Sequence, residues 1–344
     1  MSRIADNPPL RRFYWRWEKA LLDCLPEVGS RVLVGISGGC DSVLLAWLLR
    51  ESSARGLCHL VLGHVNHGLR EEADQDEGHV RRIAAAWKLE LRCETIDPVP
   101  RGPSVEQAAR HHRHAALRRM AEGARCRIVA LGHQMDDQAE TVLFRLLRGT
   151  GPRGLGAMAP ASEDGGITLI RPLLGFRRRE LREVAREAGL DWTEDASNRD
   201  PAFLRNRLRH ELLPLLSRVY NPRLIESLAE LARQMRLSDE PIRRAALELL
   251  GRARLAGADG EGLQLRVPDL SGAPEAVATR ALYLAYQQFR GRGDPLAARH
   301  MRDLWNLITD PGAAASEIHL PGPIRARRRG DRLVLEFHPP RPDK

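Results

Sequence analysis

The sequence predicts an α/β protein: a parallel sheet with helices on both faces, followed by a smaller, mainly helical C-terminal domain. Three observations lead there. Short apolar runs alternate with helical patterns over the first two hundred residues, the signature of strand–helix–strand units. Polar clusters follow three of the apolar runs, where open parallel sheets bind their ligands. Beyond residue 216 the alternation gives way to helical periodicity, so the expected division is 1–216 and 217–344.

The expected strands are RVLVGI (31–36), HLVLGHV (59–65), LRCETI (91–96) and RIVALG (127–132). Helical patterns lie between and after them at 42–54, 73–88, 104–122 and 135–147. The glycine-rich stretch RGTGPRGLGAMAP (148–160) interrupts the alternation. A strand at 167–173, an arginine-rich helix at 176–189, and a loop leading into a helix over 191–216 come next. The C-terminal part reads as helices that end in short apolar runs near 317–337.

With 344 residues and a 43% hydrophobic fraction the chain has material for about two packed domains. Its formal net charge of +9 favours an anionic partner such as RNA. Only Lys19, Lys88 and Lys344 are lysines, so arginine carries nearly all of the positive charge. Cysteines at 24, 40, 58, 93 and 126 form no C-x-x-C pair, which argues against a zinc ribbon, iron–sulfur ligation and a thioredoxin-type site, and the odd, scattered set suggests reduced thiols. The N-terminus has no apolar signal-peptide core, and no run is long enough to span a bilayer. A cytoplasmic protein with no membrane partner is expected.

The chemistry concentrates in three clusters. In SGGCDS (37–42), Gly38 and Gly39 would let backbone amides approach an anion, and Ser37 and Ser42 would add hydroxyl donors. The P-loop lysine is absent. Asp41 sits awkwardly beside phosphate unless Mg²⁺ bridges the two; the alternative is a plain glycine turn before a capped helix. HVNHGLR (64–70) brings His64, Asn66, His67 and Arg70, and reads equally well as a turn. GHQMDDQAETVLFRLLRG (132–149) puts Asp136, Asp137 and Glu140 in the first turns of a helix, where acids favour the dipole. Asp136 and Glu140, four apart, would repel unless a metal ion or a substrate ammonium lay between them. Arg110 and Arg113, three apart on the 104–122 helix, could grip phosphoryl oxygens or form a solvated face.

These motifs together resemble a known family. SGGxDS is the signature of the PP-loop, or N-type, ATP pyrophosphatases, with an adenine nucleotide alpha hydrolase-like fold. HVNHGLR, GHQMDDQAETVLFRLLRGTGPRGLGAM and SNRD…RNRLRHELLPLL narrow the resemblance to the tRNA(Ile)-lysidine synthetases. The resemblance implies a catalytic domain over 1–216 and a tRNA-recognition domain over 217–344. It also implies a ligase that uses ATP and Mg²⁺ to join free L-lysine to carbon 2 of the wobble cytidine in a CAU-anticodon isoleucine tRNA. The base is adenylated first, AMP and pyrophosphate are released, and codon reading changes from AUG to AUA.

On that resemblance Ser37, Gly38, Gly39, Cys40, Asp41 and Ser42 hold ATP, joined by His64, Asn66, His67 and Arg110. Asp41 and Asp137 are the implied metal ligands, and Arg113 meets phosphoryl groups. Asp136, Asp137 and Glu140 share lysine binding, proton acceptance and metal binding, with the division open. Arg205, Arg207, Arg209 and Arg177 face tRNA phosphates, although alternate helical positions cannot all point one way. His114 departs from the family, which more often has tyrosine there. A second copy of the chain is a further candidate partner. A PP-loop tRNA thiolase and a non-catalytic basic RNA-binding module remain the alternatives.

Overall fold

The computed structural model describes residues 3–66, 71–96, 105–194, 204–255, 262–291, 296–313 and 315–338. Strands β1 (Arg31–Gly35), β2 (His59–Asn66), β3 (Leu91–Thr95), β4 (Ile128–Ala130), β5 (Ala161–Asp164) and β6 (Ile167–Ile170) form one sheet in the order β3-β2-β1-β4-β6-β5. All neighbours in it are parallel except β5, an antiparallel edge on β6 that the sequence reading did not anticipate. ASED, with no apolar residue beyond Ala161, gives no strand signal; pairing with β6 supplies the order instead.

The alternation of β1 explains why both faces are covered. Val32 and Val34 enter one buried cluster with Trp17, Leu44, Leu48 and Leu181. Leu33 points the other way and joins Leu117, Ala121, Val129 and Leu169. A strand buried on both sides reads as a continuous apolar run, as RVLVG does. Helices Pro8–Cys24, Cys40–Ala54 and Arg178–Glu187 supply the first layer, and Val105–Gly123 the second. The chain steps from β1 outward to β2 and β3, then crosses back to place β4 on the far side of β1. That reversal makes the C-terminal ends of β1 and β4 the switch point where a crevice opens. SGGCDS follows β1 and GHQMDD follows β4.

The described residues form two compact units, Met1–Phe144 with Ala157–Glu230 and Arg145–Gly156 with Leu231–Lys344. The glycine-rich 145–156 stretch therefore groups with the later residues, and the change along the long helix Leu224–Ala253 falls after Glu230, beyond the 216/217 division expected from sequence. The second unit holds helices Glu275–Arg290 and Ala298–Thr309 and a four-stranded antiparallel sheet. Its strands are β7 (Leu263–Arg266), β8 (Glu317–Leu320), β9 (Ile324–Arg329) and β10 (Arg332–Phe337), ordered β7-β10-β9-β8. The apolar runs near 317–337 are thus sheet. On β9 Ile324 and Ala326 turn into the core, while Arg325 pairs with Glu336 and Arg327 with Glu317 across neighbouring strands.

Candidate active site

The SGGCDS turn runs from β1 into the helix Cys40–Ala54, whose N-terminus carries no side-chain cap. Gly38 has φ +89°, a left-handed conformation that L side chains rarely adopt. A Cβ at Gly38 would also lie 2.9 Å from Thr193 Oγ1, and the Gly38 carbonyl accepts the Thr193 amide at 2.9 Å. Ser42 closes the turn: its hydroxyl donates to the Gly39 carbonyl at 2.9 Å and accepts the Ser37 amide at 3.1 Å. Ser37 Oγ stands 3.1 Å from Ser42 Oγ. The Cys40 thiol is buried, and burial together with the Asp41 charge pushes it up to about 12, so it is not a thiolate at neutral pH.

Asp41 meets the β4 end directly. A Cβ on Gly132 would lie 3.2 Å from the Asp41 carbonyl carbon, an approach only glycine leaves free. Burial first, then the Asp137 charge, pushes Asp41 up to about 6. Its Oδ1 atom is buried without a hydrogen-bond partner among the described residues. The loop and the acidic helix thus stand together, as the switch point requires.

Helix Met135–Leu147 carries the acids, and arginines gather on them. Asp136 accepts the Arg178 amide at 2.9 Å and Arg177 Nε at 3.3 Å. Asp137 accepts the Gln134 amide on Oδ2, while its Oδ1 takes Arg178 Nη2 at 3.2 Å and Arg209 Nη2 at 3.1 Å. Glu140, whose side chain is 1% exposed, takes Arg205 Nε at 3.1 Å, Arg178 Nη2 at 3.3 Å and both Nε and Nη2 of Arg209. Three guanidiniums thus surround Glu140, while Asp136 is held separately by Arg177 and the Arg178 amide. Burial and the Glu140 charge raise Asp137. Burial would also raise Glu140, but the hydrogen bond and charge of Arg209, with Arg205 and Arg178, outweigh it and hold Glu140 below its ordinary value.

Arg205 and Arg209 share a face and converge on Glu140, whereas Arg207 between them is exposed. A π-helical turn at Leu208–Leu212 carries Arg209. Arg177 also pairs with Glu226 at 2.5 Å. Arg178, the first residue of the helix Arg178–Glu187, gives no sign of these carboxylate partners without the fold.

Arg110 is half-buried and Arg113 exposed on helix Val105–Gly123. Both act on His133, just past β4: burial holds that imidazole well below its ordinary value, reinforced by Arg171, Arg110, Arg113 and Arg205. Burial and then Arg110 lower Arg171 to about 10. His114 Nδ1 lies 3.4 Å from Asp164 Oδ2, and burial followed by the Arg110 charge lowers it to about 4. Neither His133 nor Arg171 stands out in the sequence: Arg171 falls inside the strand expected over 167–173, and only the fold brings it to the end of β6 and His133 near the end of β4.

At the end of β2, His64 is buried with Nδ1 2.8 Å from the Ile36 carbonyl. Asn66 Nδ2 donates to Glu77 Oε2 at 3.0 Å, so this part of Asn66 is committed within the protein. His67 and Arg70 lie outside the described residues.

Asp41 offers one open carboxylate oxygen for a cation, and Asp137 Oδ1 is shared with guanidiniums. No group of three or more His, Cys, Asp or Glu side chains is disposed to hold a metal among the described residues. The buried, unpartnered Asp41 Oδ1 is a donor that fits a cation taking its other ligands from phosphate oxygens.

A family model described as a PP-loop domain matches residues 14–216. A tRNA(Ile)-lysidine synthase of Solibacter usitatus is 40% identical over 309 residues, which cover 89% of this chain and 67% of the relative. One from Symbiobacterium thermophilum is 37% identical over 77% of this chain and 57% of its own length. One from Salinispora tropica is 36% identical over 97% of this chain and 98% of its own. The chain thus spans between little more than half and nearly all of these relatives. Among solved structures, the U34-tRNA thiolase NcsA from Methanococcus maripaludis, with its [4Fe-4S] cluster, superposes at TM-score 0.55. It is 19% identical, covers 66% of this chain and 79% of its own, and shows the fold alone.

Proposed function

Because the chain belongs to the PP-loop family of tRNA(Ile)-lysidine synthases, a family that uses ATP, we propose that it joins free L-lysine to carbon 2 of the wobble cytidine of CAU-anticodon isoleucine tRNA. ATP is cleaved to AMP and pyrophosphate. The observation that carries this reading is the meeting of the SGGCDS loop with Gly132 and Asp137 across β1 and β4.

In the first step the base's carbon-2 oxygen attacks the α-phosphorus, and pyrophosphate leaves along the loop. Backbone amides around Gly38 and Gly39 and the uncapped helix N-terminus hold the departing charge. Arg110 and Arg113 steady the phosphoryl oxygens. Asp41, with Asp137, would hold Mg²⁺, which supplies charge neutralisation between carboxylate and phosphate. In the second step the ε-amine of lysine attacks carbon 2 and AMP leaves. Lysine arrives as an ammonium; Asp137 and Glu140 take it in place of part of the guanidinium charge now on them, and one carboxylate accepts its proton. Asp136 orients this helix through the Arg178 amide.

Arg177, Arg205, Arg207 and Arg209 are assigned to tRNA phosphates. For Arg205 and Arg209 this requires release from Glu140 when substrate enters, and Arg207 is exposed already. Residues 217–344 are assigned to tRNA recognition beside a catalytic 1–216, in the cytoplasm. A thiolase would need an available thiolate; four of the five cysteines are buried, and Cys40 is pushed up to about 12.

The test is product release. Sustained release of AMP and pyrophosphate should need lysine and the CAU isoleucine tRNA together, while tRNA without lysine should yield only the pyrophosphate of the adenylation step and no AMP; turnover with cysteine in place of lysine, or no ATP cleavage, would sink the reading. Asp41→Ala should abolish adenylation while tRNA affinity stays within a few-fold.

A further inference from the structure

Two buried imidazoles flank the phosphate loop, each with an Nε2 atom that has no hydrogen-bond partner among the described residues: His64, 3% exposed, and His79, 5% exposed. An unpaired buried polar atom carries a cost in the free protein that a ligand can remove. The two nitrogens are chemically distinct. The Ile36 carbonyl only accepts, so His64 Nδ1 carries the proton in the neutral ring and Nε2 is left as an acceptor. That nitrogen suits a hydroxyl or an amine, not a phosphate oxygen.

His79 lies on helix Glu71–Trp87, and among the described residues no carbonyl fixes its tautomer that way. Its Cδ2 atom is 3.7 Å from the point a Cβ would occupy on Gly38. Cδ2 is bonded to Nε2, so the open nitrogen is one bond from the ring atom nearest the left-handed glycine. Asp76 Oδ1, one turn earlier, is 3.9 Å from the same point. A bare anion would be repelled there, whereas a phosphate with its charge partly covered by a cation would not.

We propose that His79 is a ligand of the two outer phosphates of the nucleotide, donating from Nε2 to the pyrophosphate as it departs. The assignment rests on the loop's role as a pyrophosphate cradle, and it makes the helix after β2 the second wall of that cradle.

Calorimetric titration of the full chain with magnesium pyrophosphate, and separately with AMP, tests this. His79→Leu should weaken pyrophosphate binding about tenfold and leave AMP within about twofold, the loss expected for one hydrogen bond to a charged group. His79→Gln, whose amide nitrogen reaches the Nε2 position, should recover most of the affinity. Should leucine prevent folding, His79→Asn replaces it, because its shorter amide cannot reach. Unchanged pyrophosphate affinity in the Leu or Asn variant would overturn the proposal. Equal loss of both ligands would overturn it too, since the ring would then only support the loop. If the parent protein takes up no pyrophosphate, the cradle itself is misassigned and this inference falls with it.

Discussion

Arg209 grips Glu140 at both carboxylate oxygens, Nε to Oε1 at 2.6 Å and Nη2 to Oε2 at 2.9 Å, inside a pocket where Glu140 is almost wholly buried. Removing one partner of such a pair leaves an uncompensated charge. Arg178 and Arg205 remain on Glu140, which moderates the loss. Arg209→Ala should therefore lower stability by about 2–3 kcal/mol, and Glu140→Gln added to it should cost less than the sum of the single changes. Urea unfolding of the four proteins of the cycle measures this; strict additivity would mean that the two side chains do not sense each other.

Gly38→Ala forces a side chain into φ +89° and sets its Cβ 2.9 Å from Thr193 Oγ1. Gly39 has φ −75° and its nearest neighbour would be 3.5 Å away, so Gly39→Ala is sterically open. The first change should reduce ATP cleavage at least about a hundredfold and cost about 1–3 kcal/mol of stability. Gly39→Ala should leave stability within about 1 kcal/mol. Steady-state rates and thermal melts of the pair decide it: indistinguishable variants would show that the loop adapts.

Asp41 titrates upward on folding, from 3.8 to about 6, because it is buried and faces Asp137. The folded protein then holds that proton more tightly than the unfolded chain does. Its stabilising contribution is present below the unfolded value and is lost as pH rises through about 6, an effect on the order of 3 kcal/mol. Asp41→Asn should remove this dependence, so the ligand-free variant should gain stability relative to the parent between pH 4 and 7. Parallel pH profiles for the two proteins would refute the shift.

Cys40 occupies the variable position of the loop, with a buried thiol pushed up to about 12. Cys40→Ser should keep ATP cleavage within about threefold, and iodoacetamide at pH 8 should not inactivate the parent. Abolished turnover in the serine variant would revive a thiol-dependent reaction.

The sequence by itself determined the strand–helix alternation through residue 189, since burial on both faces of a parallel strand writes an unbroken apolar run such as RVLVG. It also singled out SGGCDS and DDQAE, because a glycine turn before a helix and acids in a helical first turn are local chemistry. What it could not supply was any relation between segments distant along the chain. β5 exists only because β6 pairs with it, and the apolar runs after residue 316 became strands through mutual pairing. Asp136 and Glu140 read as a repelling pair until Arg178, Arg205 and Arg209 arrived from 38 to 69 positions away to neutralise Glu140. His79 read as one more helical residue until folding laid its ring edge against Gly38. Local periodicity reports which face of an element is buried, but charge compensation and ligand contacts depend on which faces meet, and only the tertiary structure decides that.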